Sequence, residues 1–415
     1  MWTDFDCEEL DADKTRVYLE RSKSSPISVR IDEGSDYMSP HNPFFQIVPH
    51  AVNRLKSLVI NGTPRNLSAI TAPLSRPAPL LEYLWIDGNC ESMPQDNPTL
   101  TTALFNGDLP SLRELHLEYV RTELPWRSMV NLTSFELWHT IPDDFSIRQL
   151  LDFFESAPRL RTIDLLHATP TSGAQHGRLV SLNCLKSMAV IGDEAPSLLL
   201  DHLIIPVSAK LTTQGGPLTE GLLPRSLDNL RNLSSFTDIH LHIDGSDPDI
   251  RLSGPNGQVR MYIYSNGDTT CLMLESLARF DMSKTERLQI DYGDSPSSDP
   301  PYQALHPMNH LRTLILYRCT NPDTFLRALD PNTNSSGIAV CPELEELILV
   351  LRLSEETLDI KNVKEMAAAR ASRGAKLKSI RISSQDKSVQ VDALELREHA
   401  LHVECGPEVD VANKN

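Results

Sequence analysis

Cysteine is scarce and scattered. Cys7, Cys90, Cys184, Cys271, Cys319, Cys341 and Cys405 are odd in number and never form a C-x-x-C pair. A disulfide framework and a zinc module are therefore not expected. Aromatic residues make up 6% of the chain, against 40% for hydrophobic residues as a whole. The core should rest on aliphatic side chains. Cations are short as well: 39 Lys and Arg against 56 Asp and Glu leave a net charge of -17 over 415 residues. Nucleic acid and an anionic membrane surface are poor partners for such a chain, because both need clustered Lys and Arg. A basic protein segment is compatible with it. No apolar run approaches the roughly 18 residues of a membrane helix. The acidic opening Met1-Trp2-Thr3-Asp4-Phe5-Asp6 has no signal-like apolar stretch, so the expected compartment is cytoplasm or nucleus.

What the sequence does have is one returning phrase, L-x-x-L-x-L, with Ile, Val, Phe, Met or Thr substituting. It occurs at 55–60, 81–86, 112–117, 132–137, 160–165 and 185–190, and again at 236–241, 285–290, 311–316, 344–349 and 377–382. Neighbouring copies are mostly roughly 20 to 33 residues apart, which overlaps the period of leucine-rich repeats. The alternation at the end of each phrase predicts a short strand. Helical pieces lie between copies: 146–154 with a Ser146 N-cap and a stop near Pro158, 323–329, and 363–373 ending at Gly374. A strand-turn-helix unit cannot bury its apolar side alone, so stacking is required. The expected fold is α/β: a leucine-rich-repeat-like solenoid with a curved parallel sheet on the concave side and helices and turns on the convex side. The spacing is irregular and the consensus Asn mostly missing, so the repeats should be distorted.

The expected organisation is a capping segment at 1–40, a solenoid at 41–406 and a polar tail at 407–415. Asp11–Arg21 reads as a helix and Pro26–Ile31 as a strand. Near 244–264, the Gly254-Pro255-Asn256-Gly257 turn between two strand-like runs predicts an inserted hairpin.

Within each phrase, positions three, five and seven point away from the leucine spine. They give Tyr83, Trp85 and Asp87; Glu114, His116 and Glu118; Glu136 and Trp138; then Asp164. Later copies give His240, His242 and Tyr317. Exposed aromatics beside carboxylates suit a hot spot for a basic or amphipathic segment. The competing reading packs Trp85 and Trp138 against each other or against neighbouring strands.

Catalytic and metal chemistry is thinly represented. His240 and His242 share a strand face, with Asp238 as the one near third ligand. His116 beside Glu114 and Glu118 is a general-base arrangement on paper, with nothing to exclude water. No phosphate-loop, nucleophile-elbow, H-E-x-x-H or dinucleotide motif occurs. Cys184 lies within a repeat and reads as a small buried hydrophobe. No cofactor, no metal and no enzymatic activity are expected.

Several segments resemble the basidiomycete F-box proteins with leucine-rich-repeat tails. They are Trp2-Thr3-Asp4, Ala12–Ser22, Leu80–Asp87, Gly107–Leu115, Leu150–Asp164 and Lys361–Leu377. The resemblance spans nearly the whole chain. It implies that the repeats recognise a protein substrate for an SCF-type ubiquitin ligase. It also implies that a Skp-type adaptor would dock on an F-box ahead of them. Trp2-Thr3-Asp4 is similar to the segment just after that box, and no Leu-Pro-x-Glu opening is found, so the F-box is expected to be missing here. The alternatives are an orphan scaffold without ligase docking and, more remotely, an enzyme on a solenoid.

Overall fold

The structure is a computed structural model. It describes residues 3–6, 12–32, 50–63, 67, 70–88, 99–100, 104–122, 129–139, 146–168, 177–192, 196–215, 224, 226–230, 236–243, 248–255, 257–263, 277, 279–292, 305–318, 322–333, 339–351, 358–383 and 393–406. The fold is α/β, with a large, mostly parallel sheet and few helices. The chain divides into two compact units. One comprises Met1–Gly215 and Glu220–Arg231, the other Gly216–Thr219 and Asn232–Asn415. The expected tail at 407–415 lies outside the described residues.

In the first unit the strands run in chain order and all pair in parallel: β1 (Asp4–Asp6), β2 (Ile27–Asp32), β3 (Leu55–Asn61), β4 (Tyr83–Asp87), β5 (Glu114–Glu118), β6 (Ser134–Trp138), β7 (Thr162–Leu166), β8 (Ser187–Ile191) and β9 (Lys210–Gly215). From β4 to β8 the register is unbroken. Leu84, Leu115, Phe135, Ile163 and Met188 form one rung set, and Ile86, Leu117, Leu137, Leu165 and Val190 another. All ten are at most 1% exposed. Full burial of one such aliphatic side chain stabilises by roughly 1.5–3 kcal/mol. Strands β1 and β9 were not expected, because Asp4-Phe5-Asp6 and Lys210–Gly215 carry too little of the phrase. Each is recruited by its neighbour, and Phe5 is buried against Tyr18 of helix α1 (Ala12–Ser22).

Helix α2 (Ile147–Ser156) closes the buried side. Its capping box is complete: Gln149 N–H donates to Ser146 Oγ, and Ser146 N–H donates to Gln149 Oε1 at 2.7 Å. Ile147, Leu150, Leu151, Phe153 and Phe154 are buried, and the Phe153 ring lies 4.6 Å from that of Phe135 on β6.

In the second unit, β10 (Asp238–Ile243), β11 (Asp249–Gly254) and β12 (Gly257–Ile263) are antiparallel, with Gly254 opposite Gly257. On its other side β10 pairs in parallel with β13 (Arg287–Tyr292). The parallel run continues through β14 (Thr313–Tyr317), β15 (Glu346–Val350), β16 (Ser379–Ser383) and β17 (His402–Gly406). The hairpin read near 244–264 is therefore a pair of sheet strands, with 244–247, 256 and 264 outside the described residues. Strand β17, like β1 and β9, was not expected.

Helix α4 (Ile360–Ser372) ends in a Schellman motif. Gly374 has φ 82°, its N–H donates to Ala371 O, and Ala375 N–H donates to Arg370 O. Arg370 on this helix is fully buried. Its Nη1 donates to Val340 O at 2.8 Å and Leu329 O at 3.4 Å, and Nη2 to Cys341 O at 2.8 Å. Leu329 ends helix α3 (Pro322–Leu329), so the guanidinium satisfies a carbonyl left over at a helix terminus. Burial lowers the Arg370 pKa, and burial pushes the nearby Cys341 thiol up to about 12.

Two substitutions test this packing. Arg370→Leu should lower unfolding free energy in urea by about 3 kcal/mol, because buried carbonyls lose a charged donor. An unchanged midpoint would mean that water reaches those carbonyls. Gly88→Ala should cost about 1–3 kcal/mol, because a Cβ there overlaps the Tyr119 carbonyl. A neutral effect would mean that the turn is free to shift.

Candidate partner-binding face

Parallel register sets side chains about 4.8 Å apart on the outward face of the sheet. Across β4–β7 the fifth position gives Trp85, His116, Glu136 and Asp164 as direct neighbours. The third gives Tyr83 and Glu114 before Ser134 and Thr162, and the seventh gives Asp87, Glu118, Trp138 and Leu166. Tyr83 through Asp164 thus share one face, as the alternation requires. None of the twelve positions in these rows is Lys or Arg.

His116 is the centre of the patch. It is 6% exposed and lies between two indoles. Its ring centroid is 4.6 Å from Trp85 and 4.6 Å from Trp138. Nδ1 is 2.8 Å from Glu136 Oε2 and Nε2 is 3.4 Å from Glu118 Oε2. The sequence pairing of His116 with Glu114 is corrected to one with Glu136, because the lateral neighbour on β6 is closer than the residue two along its own strand. The tryptophans pack on the imidazole between them. The Trp85 indole N–H is buried and has no hydrogen-bond partner among the described residues.

The field of these carboxylates registers in two groups. The Asp164 carboxyl is raised above its ordinary range by burial and then by the Glu136 charge; His116 and the Trp138 indole oppose the shift. The Tyr83 hydroxyl is raised by burial, then by Glu114 and Glu136, with Arg30 opposing. Surplus negative charge therefore accumulates on β4–β7.

His240, His242 and Tyr317 lie in the second unit, where the charges are compensated internally. Asp249, with a side chain 3% exposed, accepts from both Arg251 and Arg260 through Oδ2, the Arg260 Nη2 bond being 2.6 Å. His242 Nδ1 faces Asp291 Oδ2 at 3.4 Å, and the Arg318 guanidinium covers the Tyr317 ring at 5.1 Å. The His240 pKa is lowered by burial first and by the Arg251 charge second. Asp238, read as a third ligand beside the two histidines, instead accepts from Thr237 Oγ1 at 2.7 Å. Among the described residues no group of three His, Cys, Asp or Glu is arranged to hold a metal.

Two features escaped the sequence reading. Tyr119, His139 and His167, each just after its strand, have φ of 51°, 51° and 48°. Their rings stack at 4.7 and 5.2 Å. Burial and then His167 lower the His139 pKa. The signal was present at position eight of three phrases, but Tyr and His do not advertise a left-handed backbone. Cys184, expected to be buried, is exposed. It precedes the spine residue Leu185 and so lies at the rim, ahead of the ladder.

Asp164→Asn tests the raised Asp164 carboxyl. An acid raised in the folded state contributes most stability below its unfolded pKa and loses it as pH rises through the folded value. The variant should therefore be more stable than the parent at pH 7, with the difference vanishing below about pH 3. Thermal melts across pH check this, and a less stable variant at pH 7 would contradict it. No protein-family model matches the chain, and no curated protein matches it.

Proposed function

We propose that the chain is a leucine-rich-repeat-type solenoid that acts by binding another protein. Its outward sheet face on β4–β7 takes a basic or amphipathic segment. The observation that carries this reading is the pairing of surplus carboxylates with indoles on a rigid sheet that holds no Lys or Arg in those rows. An incoming cation would offset the burial, and then the Glu136 charge, that raise the Asp164 carboxyl, and Trp85 and Trp138 offer large, low-entropy contact surfaces. The reading is non-enzymatic: His116 is covered by rings and held by carboxylates, which suits a bridge in the surface better than a general base.

The resemblance to F-box proteins extends the proposal to a substrate-recognition arm of an SCF-type ubiquitin ligase. Adaptor binding is a separate property. A Skp-type adaptor should bind only a form of the protein carrying an F-box ahead of Trp2.

Selection of short peptides on the protein should enrich amphipathic sequences with Lys or Arg. Replacing Trp85 and Trp138 together by Ala should weaken the selected peptides by roughly tenfold or more. Glu136→Gln with Asp164→Asn, which leaves both rings in place, should weaken them too and reduce the salt dependence. Enrichment without a basic bias, or affinities unchanged in both variants, would overturn the assignment of this face.

A further inference from the structure

The first unit carries a second feature, at the amino-terminal ends of its strands. A cleft of about 680 Å³ opens there, with Arg113, Arg159 and Arg161 in its wall. Arg113 and Arg161 occupy the position just before β5 and β7 begin. They lie two strands apart, which the sheet spacing sets at about 10 Å. Their backbone N–H groups are used in the ladder, donating to Glu82 O and Thr133 O at 2.8 Å each. The side chains are not used: among the described residues neither guanidinium has a hydrogen-bond or ion-pair partner. Arg159 spends one N–H on Asn131 Oδ1 at 2.9 Å and keeps the rest of its fork.

This arrangement runs against the electrostatics of the chain. The protein carries -17 overall, yet three permanently charged guanidiniums share one cavity. Carboxylates are within the same lining but do not neutralise them. Glu82 is drawn instead toward Lys56 Nζ, at 3.9 Å, and Glu114, at the β5 end, makes no ion pair among the described residues. Glu82 and Glu114 lie toward β4 and β5, with Arg113 beside them, and Arg159 and Arg161 lie toward β7. Guanidinium forks match carboxylates in a bidentate geometry. A polyproline II segment has three residues per turn and rises about 3.1 Å per residue, so side chains three residues apart lie on one side and roughly span the distance from Arg113 to Arg161.

We propose that this cleft is a second recognition site, for an acidic peptide segment whose carboxylates are held by Arg113 and Arg161. Arg159 broadens the positive end. The site adjoins the indole-carboxylate face, with which it shares Glu114, and it gives a partner of mixed charge two anchors of opposite sign. Cys184 also lines the cleft and is exposed, which makes it a reporter of occupancy.

The test uses the full chain and labelled hexaglutamate, with hexaglutamine and hexalysine as controls. Hexaglutamate should bind with a strong dependence on salt and should slow alkylation of Cys184, read by peptide mapping. Arg113→Gln with Arg161→Gln should weaken binding by roughly tenfold, and Arg113→Glu with Arg161→Glu should abolish it. Both positions are exposed and outside the core, so folding is retained. Replacing Trp85 and Trp138 by Ala should leave hexaglutamate binding unchanged, which separates this site from the face proposed above. Hexaglutamate binding no tighter than hexaglutamine, or binding unaffected by charge reversal, would overturn the proposal. So would inorganic phosphate protecting Cys184 at the same concentration as the peptide, because the site would then select small anions.

Discussion

The constraint on which the structure depends is in-register stacking of short parallel strands on an aliphatic spine. Leu84, Leu115, Phe135, Ile163 and Met188 meet in one line because each phrase begins in the same phase. A slip of one residue in any strand would turn its leucines to water and its carboxylates into the core. The spine also recruits sequences that lack the phrase, such as β1 and β9. An edge strand leaves a row of N–H and C=O groups to be paired, and a chain of moderate β-propensity suffices to pair them.

The same register dictates the chemistry of the outer face. Side chains at equivalent positions must sit beside one another whatever their charge. In the first unit this brings Glu136 next to Asp164 and His116 next to Glu136. The result is a patch in which carboxylates crowd beside one imidazole and two indoles. In the second unit the antiparallel hairpin inserts Arg251 and Arg260 beside Asp249, and the Arg381 guanidinium meets Glu346 at 2.7 Å. Compensation there comes from within. The contrast between the two faces arises from which strands are laid side by side, since both are built on the same phrase.

Tight turns at the strand ends carry a different burden. Each residue at position eight must donate its N–H to the following strand, as Tyr119 does to Trp138 O at 3.0 Å and His139 to Leu166 O at 2.6 Å. Left-handed conformations at Tyr119, His139 and His167 cost energy for non-glycine residues, and stacking of their rings offsets part of it. Gly88 makes the same donation, to Glu118 O at 2.8 Å, where the Tyr119 carbonyl approaches too closely for any Cβ. Arg370 performs a related service in the second unit by feeding carbonyls that neither helix nor strand can satisfy.

Local pattern was enough to read the phase of the repeating strands, the side of each that is buried, and helices such as α2 with its Ser146 N-cap. Those properties depend on residues within a few positions of one another, and the two-residue and 3.6-residue periods expose them. The sequence therefore determined which residues could form an outward face, Trp85, His116 and Glu136 among them. Lateral partnership was decided only by tertiary structure. That His116 bridges Glu136 and Glu118 rather than Glu114, that Cys184 is exposed at the rim, and that Arg113 and Arg161 line one cleft all depend on strands 20 or more residues apart being laid in register. The physical reason is that hydrogen-bonded pairing between distant strands sets distance and burial, and these in turn set the charge environment of every side chain on the face.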